Sequence, residues 1–246
     1  MSTPGGVLTG RVILITGAAG SLGRVAAKAC AEAGAQLVLL DKAVDRLAQF
    51  SDTLIRAGLP AAALYPMDLA GATETDYAEL ATVVEHQFGQ LDGLLHSAVE
   101  MGPLGPLSDL QGSTLERSLR VNLTAPHVLT RSLLPLLNQA GQSAVVFTTD
   151  SSARLGRAYW GAYGLAKIAL EGLARMLADE LESAARVRVN LFAPGPVESA
   201  IRRLTHPGEA ESQRLAPEAL AGRYVFMLGP ASRGMSGKLF EGPAPA

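Results

Sequence analysis

Val12-Ile-Leu-Ile-Thr16-Gly-Ala-Ala-Gly-Ser-Leu-Gly23 is the stretch whose reading decides the fold. Val12–Thr16 is a short apolar run of strand length, and Ser21–Ala33 behind it carries helical spacing. Between them, Gly17 permits a tight turn and Gly23 lets the helix pack closely on the strand. The free N–H groups at the start of that helix suit a pyrophosphate. A plain β–α turn also accounts for a lone glycine cluster. Its place, directly after the first strand of an alternating chain, favours the dinucleotide reading.

Outward from this unit the alternation continues. Val12–Thr16, Leu37–Leu40, Ala62–Tyr65, Leu94–Ser97, Ala144–Thr148 and Val187–Phe192 read as strands. Ser21–Ala33, Val44–Ala57, Thr75–Phe88, Thr114–Leu137 and Tyr163–Leu181 read as helices between them. Strands apolar on both faces and separated by helices imply a parallel sheet covered on each side. Right-handed crossovers then give a doubly wound, Rossmann-like α/β sheet in three layers. With no repeat, linker or low-complexity stretch, residues 1–246 read as one domain, with 1–10 as a tail. The polar stretch 201–216 reads as a mobile loop over the site, shaping the substrate pocket.

Composition narrows the function. The 246 residues are 48% hydrophobic and 18% charged, with a net charge of −2 and no basic tract, which speaks against nucleic acid or a membrane surface as partner. No signal-peptide pattern opens the chain and no apolar run approaches the ~20 residues of a bilayer span, so a cytoplasmic protein is expected. Cys30 is the only cysteine; it reads as core. His86, His96, His127 and His206 lack ligand spacing, so no metal is expected.

Two sets of residues carry chemistry. Asp41 ends the second strand, where a carboxylate accepts hydrogen bonds from an adenosine ribose and repels a 2′-phosphate, favouring NAD. A solvated strand end is the plainer reading, and Lys42 beside it opens the NADP alternative. Asp68, after the third strand, is placed either to cover the adenine or to cap the next helix. Farther on, Tyr163-Gly-Leu-Ala-Lys167 sets a phenol and an ammonium one helical turn apart on the same face. A neighbouring cation lowers the phenol's pKa from ~10 toward a range useful for acid–base work, although the pair taken alone reads better as part of an ordinary amphipathic helix. Asn122 has its own signal: Pro126, four residues on, has no N–H to bond the Asn122 carbonyl, which is left free at a kink to hold a water linking Lys167 to solvent as a proton path; an apolar helix that merely tolerates a proline is the alternative.

Six features in order make the chain resemble the short-chain dehydrogenase/reductase family: the Thr16–Gly23 turn, Asp68-Leu69, His96-Ser97-Ala98, Val121-Asn122-Leu123, Tyr163-x3-Lys167 and Pro194-Gly-Pro-Val197-Glu-Ser199. Gly156–Tyr163 is similar to a bacterial branch with mostly unassigned substrates. The resemblance covers Arg11 to about Glu241. It implies hydride transfer between a nicotinamide cofactor and an alcohol or carbonyl, with Tyr163 as general acid/base and Lys167 on the nicotinamide ribose. Val197 and Ser199 would contact the carboxamide, near Pro194. Gly17, Ser21, Leu22 and Gly23 would hold the pyrophosphate, and Asp41, Asp68, Leu69, Ser97 and Ala98 would line the rest. It also implies a homodimer or homotetramer through apolar helices that include Leu165, Leu170, Leu173, Met176 and Leu177.

The match breaks at one decisive position. The family's hydroxyl donor, thirteen residues before the tyrosine, falls here on Asp150. A carboxylate cannot donate, opposes charge on a substrate oxygen and raises the pKa of Tyr163. Three readings follow: Ser151 turns inward instead, Asp150 is protonated and donates, or the site is impaired and the protein only binds a dinucleotide, as a sensor or subunit. Val99 replaces a glycine beside the nicotinamide ribose, and Ser21 replaces the usual middle glycine of the turn.

Overall fold

The computed structural model describes residues 6–244. Seven strands form one fully parallel sheet: β1 (Val12–Thr16), β2 (Gln36–Asp41), β3 (Ala63–Pro66), β4 (Gly93–His96), β5 (Ser143–Thr148), β6 (Val187–Ala193) and β7 (Leu239–Glu241). Their spatial order is β3-β2-β1-β4-β5-β6-β7. The helices are α1 (Ser21–Glu32), α2 (Val44–Arg56), α3 (Glu74–Phe88), α4 (Gly112–Leu119), α5 (Ala125–Gln139), α6 (Gly161–Glu180), α7 (Ala200–Thr205) and α8 (Ala221–Leu228).

Period-two alternation along β1 explains the three layers. Val12 and Leu14 face one core with Leu80 and Val84 of α3, Leu129 and Leu133 of α5 and Leu170 of α6. Ile13 and Ile15 face the other, with Ala26, Ala27 and Cys30 of α1, Leu47, Phe50 and Leu54 of α2 and Tyr224 of α8. Successive strand side chains point to opposite faces, so a continuous apolar run suits a sheet buried twice. The small residues of α1 let it lie close to the sheet. Cys30 is fully buried and burial pushes its thiol up to about 12, in keeping with the core reading.

The sheet reverses its winding between β1 and β4, paired from Ile13–Gly93 to Thr16–His96. In such sheets the crevice beyond the strands' C-terminal ends at that reversal is where ligands bind. His96, the last residue of β4, is buried. It stacks on Phe147 at 4.7 Å and its Nε2 lies 2.8 Å from Thr130 Oγ1. The Thr130 hydroxyl donates to the Pro126 carbonyl, so His96 Nε2 carries the proton and donates. Burial, then Lys167, hold this histidine down to about 3. It is a satisfied core residue.

Four expectations need correction. The helix read over Thr114–Leu137 is two helices joined by a π turn, Arg120–Thr124. Pro126 lies in the first turn of α5, where its missing N–H is tolerated. The disruption thus precedes the proline instead of centring on it. Leu8, read as tail, is fully buried and its N–H donates to the Ala33 carbonyl; residues 1–5 of the same tail lie outside the described residues. The stretch 201–216 is not structureless, since α7 and a short 3-10 turn at Glu211–Gln213 fall within it. Finally, β7 and α8 escaped the sequence reading, β7 because three residues carry no periodicity.

Candidate active site

Two connected hollows lie along the crevice. One, about 150 Å³, is lined by Asp41, Lys42, Asp68, Leu69, Ala98 and Val121, and the other, about 280 Å³, by Asp150, Ser151, Tyr163, Lys167, Val197 and Ser199. Gly17, Gly20, Ser97 and Val99 line both. Ser21, Leu22, Gly23 and Pro194 border the larger one. The sequence-predicted residues therefore converge on one elongated cleft, except Asn122, which lines neither hollow.

Main-chain geometry builds the first end. Gly17 has φ +67°, and a Cβ there would sit 2.6 Å from the Ala98 N. A Cβ on Gly23 would sit 2.2 Å from the Gly17 carbonyl oxygen. Gly17 is required by conformation as well as by contact, and Gly23 by contact. Thr16 Oγ1 accepts from the Ser97 and Ala98 N–H groups at 3.1 and 3.2 Å, tying the ends of β1 and β4 together. Gly20 offers α1 no side-chain cap, so the N–H groups of its first turn lack the usual partner. These are the features a dinucleotide pyrophosphate needs, and the residues present fit a nicotinamide dinucleotide.

Asp41 proves to be a clamp as well as a cleft residue. Its Oδ2 accepts from the Ala19 N–H at 3.0 Å and its Oδ1 from the Ala43 N–H at 2.9 Å, locking the glycine turn to the start of α2. Lys42 reaches Glu100 at 3.8 Å, and Arg117 reaches the same carboxylate at 3.2 Å. Arg46, which the sequence reading missed, donates to the Ala19 carbonyl at 3.0 Å and borders the cleft. Its only signal was a cation in the first turn after Asp41. Asp68 caps no helix: its Oδ1 accepts from the Ala70 N–H, while Thr73 and Asp76 form the capping box of α3.

Asn122 is buried in the π turn and does not line the cleft. Its Nδ2 donates to the Glu100 carbonyl at 2.6 Å and to Ser118, and its Oδ1 accepts from the Glu100 N–H. The side chain thus pins the chain after β4 to α4.

The second end is built from side chains. Asp150 follows β5, and its Oδ1 accepts from the Ser152 and Ala153 N–H groups at 2.8 and 3.0 Å. That leaves Oδ2 turned to Tyr163, whose hydroxyl donates to it at 3.2 Å. The carboxylate thus accepts from two backbone N–H groups and from the Tyr163 hydroxyl. Ser151 also borders the cleft, so Asp150 is not displaced by it; both face inward.

Lys167 is buried below Tyr163. Its Nζ donates to the Thr148 carbonyl at 2.8 Å and lies 5.6 Å from the centre of the Tyr163 ring. Burial lowers Lys167 to about 8, with Asp150 opposing. The expected depression of the tyrosine does not occur. Burial first, then the charge of Asp150 and its hydrogen bond, raise Tyr163 well above its ordinary value.

Sequence reading also missed the brace around this loop. Glu171, one turn beyond Lys167, is buried and accepts from Thr149 Oγ1 at 2.9 Å and Arg154 Nε at 2.6 Å, while Arg175 meets its other oxygen at 3.2 Å. Thr149 and Arg154 flank Asp150, so Glu171 fixes the loop that aims it. From the other side, α7 folds over the cleft: Ser199 Oγ caps it by accepting from the Arg202 N–H. Arg202 and Arg214 both bind Glu209, and Arg214 also binds Glu198. His206 approaches Ser152 at 3.3 Å and packs on Trp160, which in turn packs on Tyr163. The loop's many charges pair with one another, which is why they carried no legible pocket chemistry in the sequence.

A doubly wound sheet with a glycine turn, a crevice at the winding reversal and Tyr163 over Lys167 defines a dinucleotide-dependent oxidoreductase. The family model for short chain dehydrogenases matches residues 11–210. The chain is 34% identical over 235 residues to the oxidoreductase YciK of Escherichia coli strain K12, covering 96% of this chain and 92% of that protein. A solved short chain dehydrogenase from Pseudomonas syringae superposes with a TM-score of 0.93 at 43% identity, covering 98% of this chain and 97% of its own. Another from Shigella flexneri, complexed with NADP, gives a TM-score of 0.91 at 33% identity, covering 97% of this chain and 99% of its own. The chain belongs to the short chain dehydrogenase family.

Among the described residues no helix is long and apolar enough to cross a membrane, and no cluster of three or more His, Cys, Asp or Glu side chains is placed to hold a metal.

Proposed function

We propose that this chain transfers hydride between a nicotinamide cofactor and a small organic molecule carrying a polar bond between carbon and oxygen or nitrogen, at a centre made by Tyr163, Lys167 and Asp150. The observation that carries the reading is the convergence of the glycine turn, Lys167 and Tyr163 on one cleft. A bound nicotinamide supplies or accepts the hydride. Gly17, Ser21, Leu22 and Gly23 would hold its pyrophosphate, and Asp41, Asp68 and Leu69 its adenosine. Ser97, Lys167, Pro194, Val197 and Ser199 would hold its nicotinamide half.

Asp41 supports NAD(H), by offering lone pairs to a ribose. Lys42 and Arg46, together with the NADP and NADPH held by solved relatives, support NADP(H). The adenosine end thus accommodates both, and the preference for NAD expected from Asp41 alone no longer stands by itself. Exposed Leu165, Ile168 and Met176 on α6 support pairing of copies of this chain, as a homodimer or homotetramer.

An alcohol/carbonyl pair with Tyr163 as general acid/base is the substrate class that the family resemblance implies, and it meets one obstacle. A carboxylate ~4 Å from a developing oxyanion repels it by about 4 kcal/mol at an effective dielectric of ~20, about a thousandfold in rate. That cost favours a second reading, a protein that binds the dinucleotide and turns over nothing. The deciding assay follows oxidation of NADH and NADPH with ketones, aldehydes and imines, and the reverse with alcohols and amines. The proposal expects turnover of at least one class, lost by about 100-fold or more in Tyr163→Phe/Lys167→Met. Tight cofactor binding with no turnover of any class would leave the binding-protein reading.

A further inference from the structure

We infer that the substrate of this site is a carbon–nitrogen double bond, reduced as its protonated iminium against Asp150; the inference rests on the hydride-transfer reading above. It comes from where the charges of the cleft are spent. Arg154, the cation nearest in sequence to Asp150, is bound to Glu171, and Arg202 is bound to Glu209. Lys167 turns its ammonium to the Thr148 carbonyl. Among the described residues no lysine or arginine forms an ion pair with Asp150, yet two backbone N–H groups hold its carboxylate facing the cleft. Lys167 is near enough for its charge and that of Asp150 to attract, but a fixed carboxylate that no side chain ion-pairs in a partly enclosed cleft is a receptor for a cation on the ligand.

The same contacts suit nitrogen and oppose oxygen. A carbonyl gains negative charge as it is reduced and needs a donor, and Tyr163 directs its hydroxyl at Asp150. An iminium arrives positive and leaves neutral. Its N–H donates to Asp150, which Tyr163 and the Ser152 and Ala153 N–H groups hold in place. The carbon forms a C–H bond with the hydride that the cofactor supplies, and the C=N π pair becomes the nitrogen lone pair. One positive charge and one hydride give a neutral amine, so no proton is needed from Tyr163 in that step. The amine takes its proton from water on release. A phenol raised well above its ordinary value by burial and by Asp150 stays protonated throughout, as this role requires. Val99, Val197, Ala200 and Ile201 give the cleft apolar walls, which suit an aliphatic or cyclic imine.

The test pairs ring-matched probes, pyrroline with cyclopentanone and pyrrolidinium with cyclopentanol. Binding of the two products to the full-length chain is read by fluorescence of Trp160, the only tryptophan, which packs on Tyr163. Asp150→Asn is expected to weaken pyrrolidinium binding about 30-fold or more and to leave cyclopentanol within about twofold. Native protein is expected to oxidise reduced cofactor with pyrroline at a kcat/KM at least about 100-fold above that with cyclopentanone. Unchanged pyrrolidinium binding in Asp150→Asn would overturn the inference. So would preference for the ketone, with the hydride-transfer reading left standing. Reduction of neither probe class, despite cofactor binding, would overturn both.

Discussion

The two ends of the cleft are built by different means. At the end proposed for the dinucleotide the working parts are main chain: the turn at Gly17, the contact at Gly23, the N–H groups of the first turn of α1 and the two that Asp41 accepts. At the end proposed for the reaction they are side chains whose meaning depends on neighbours. Asp150 is informative only because Tyr163 donates to it, and Glu171 only because it holds Thr149 and Arg154. A backbone device tolerates little variation and looks alike wherever it occurs. An electrostatic device can reverse its chemistry through one side chain while the fold around it stays the same.

The largest expected effect tests the asymmetry directly. Tyr163→Phe/Lys167→Met should lower kcat by about 100-fold or more while weakening cofactor binding by only about tenfold, measured by single-turnover kinetics and calorimetry. Equal losses in both would erase the distinction between the ends.

Next comes the backbone. Gly17→Ala or Gly23→Ala should cost about 1–3 kcal/mol in denaturant unfolding, because each new Cβ meets main-chain atoms inside 3 Å. Either change should also remove most dinucleotide affinity. Full affinity with lowered stability would mean that these glycines serve packing alone.

Glu171→Ala sharpens the reaction end. Its side chain is 7% exposed, and its loss strands Arg154 and Thr149, costing about 3 kcal/mol of stability. Because Glu171 acts by positioning, the accompanying fall in turnover should appear in kcat more than in KM and be partly rescued in Glu171→Gln. A fall confined to stability would assign it to the scaffold.

The pH dependence is smaller but signed. Lys167 is lowered from 10.5 to about 8, so its cationic form is present below that value and lost above it. Binding of either dinucleotide should weaken as pH rises through about 8, and Lys167→Met should flatten the profile. The least effect is at Asp41, where Asp41→Asn should move the NADP/NAD affinity ratio upward by about tenfold. An unmoved ratio would confine Asp41 to its clamp role.

This contrast also explains what could be read in advance. The three-layer doubly wound sheet was legible because β1, β2, β4 and β5 are mostly apolar runs buried on both faces, and the glycine turn because φ at Gly17 and close contact at Gly23 restrict residue choice. Asp150 was legible as an anomaly by counting back from Tyr163, but its acceptor-only hydrogen bonding was not. The π turn at Arg120–Thr124 was read as a proline kink, since a one-residue widening leaves helical spacing almost intact. Glu171 and Arg46 were missed because a charge on a helix face looks solvated until its partner is seen. The same holds for 201–216, where Arg202, Glu209 and Arg214 satisfy one another.

In the proposal made above, one carboxylate, Asp150, sets the chemistry of an otherwise ordinary reaction end. The most direct measurement is the ratio of kcat/KM for pyrroline to that for cyclopentanone in native protein and in Asp150→Ser. The expected ratio is well above one in native protein and falls by about 100-fold or more in the variant, through loss of imine turnover and gain of ketone turnover. A ratio unchanged by the substitution would contradict it.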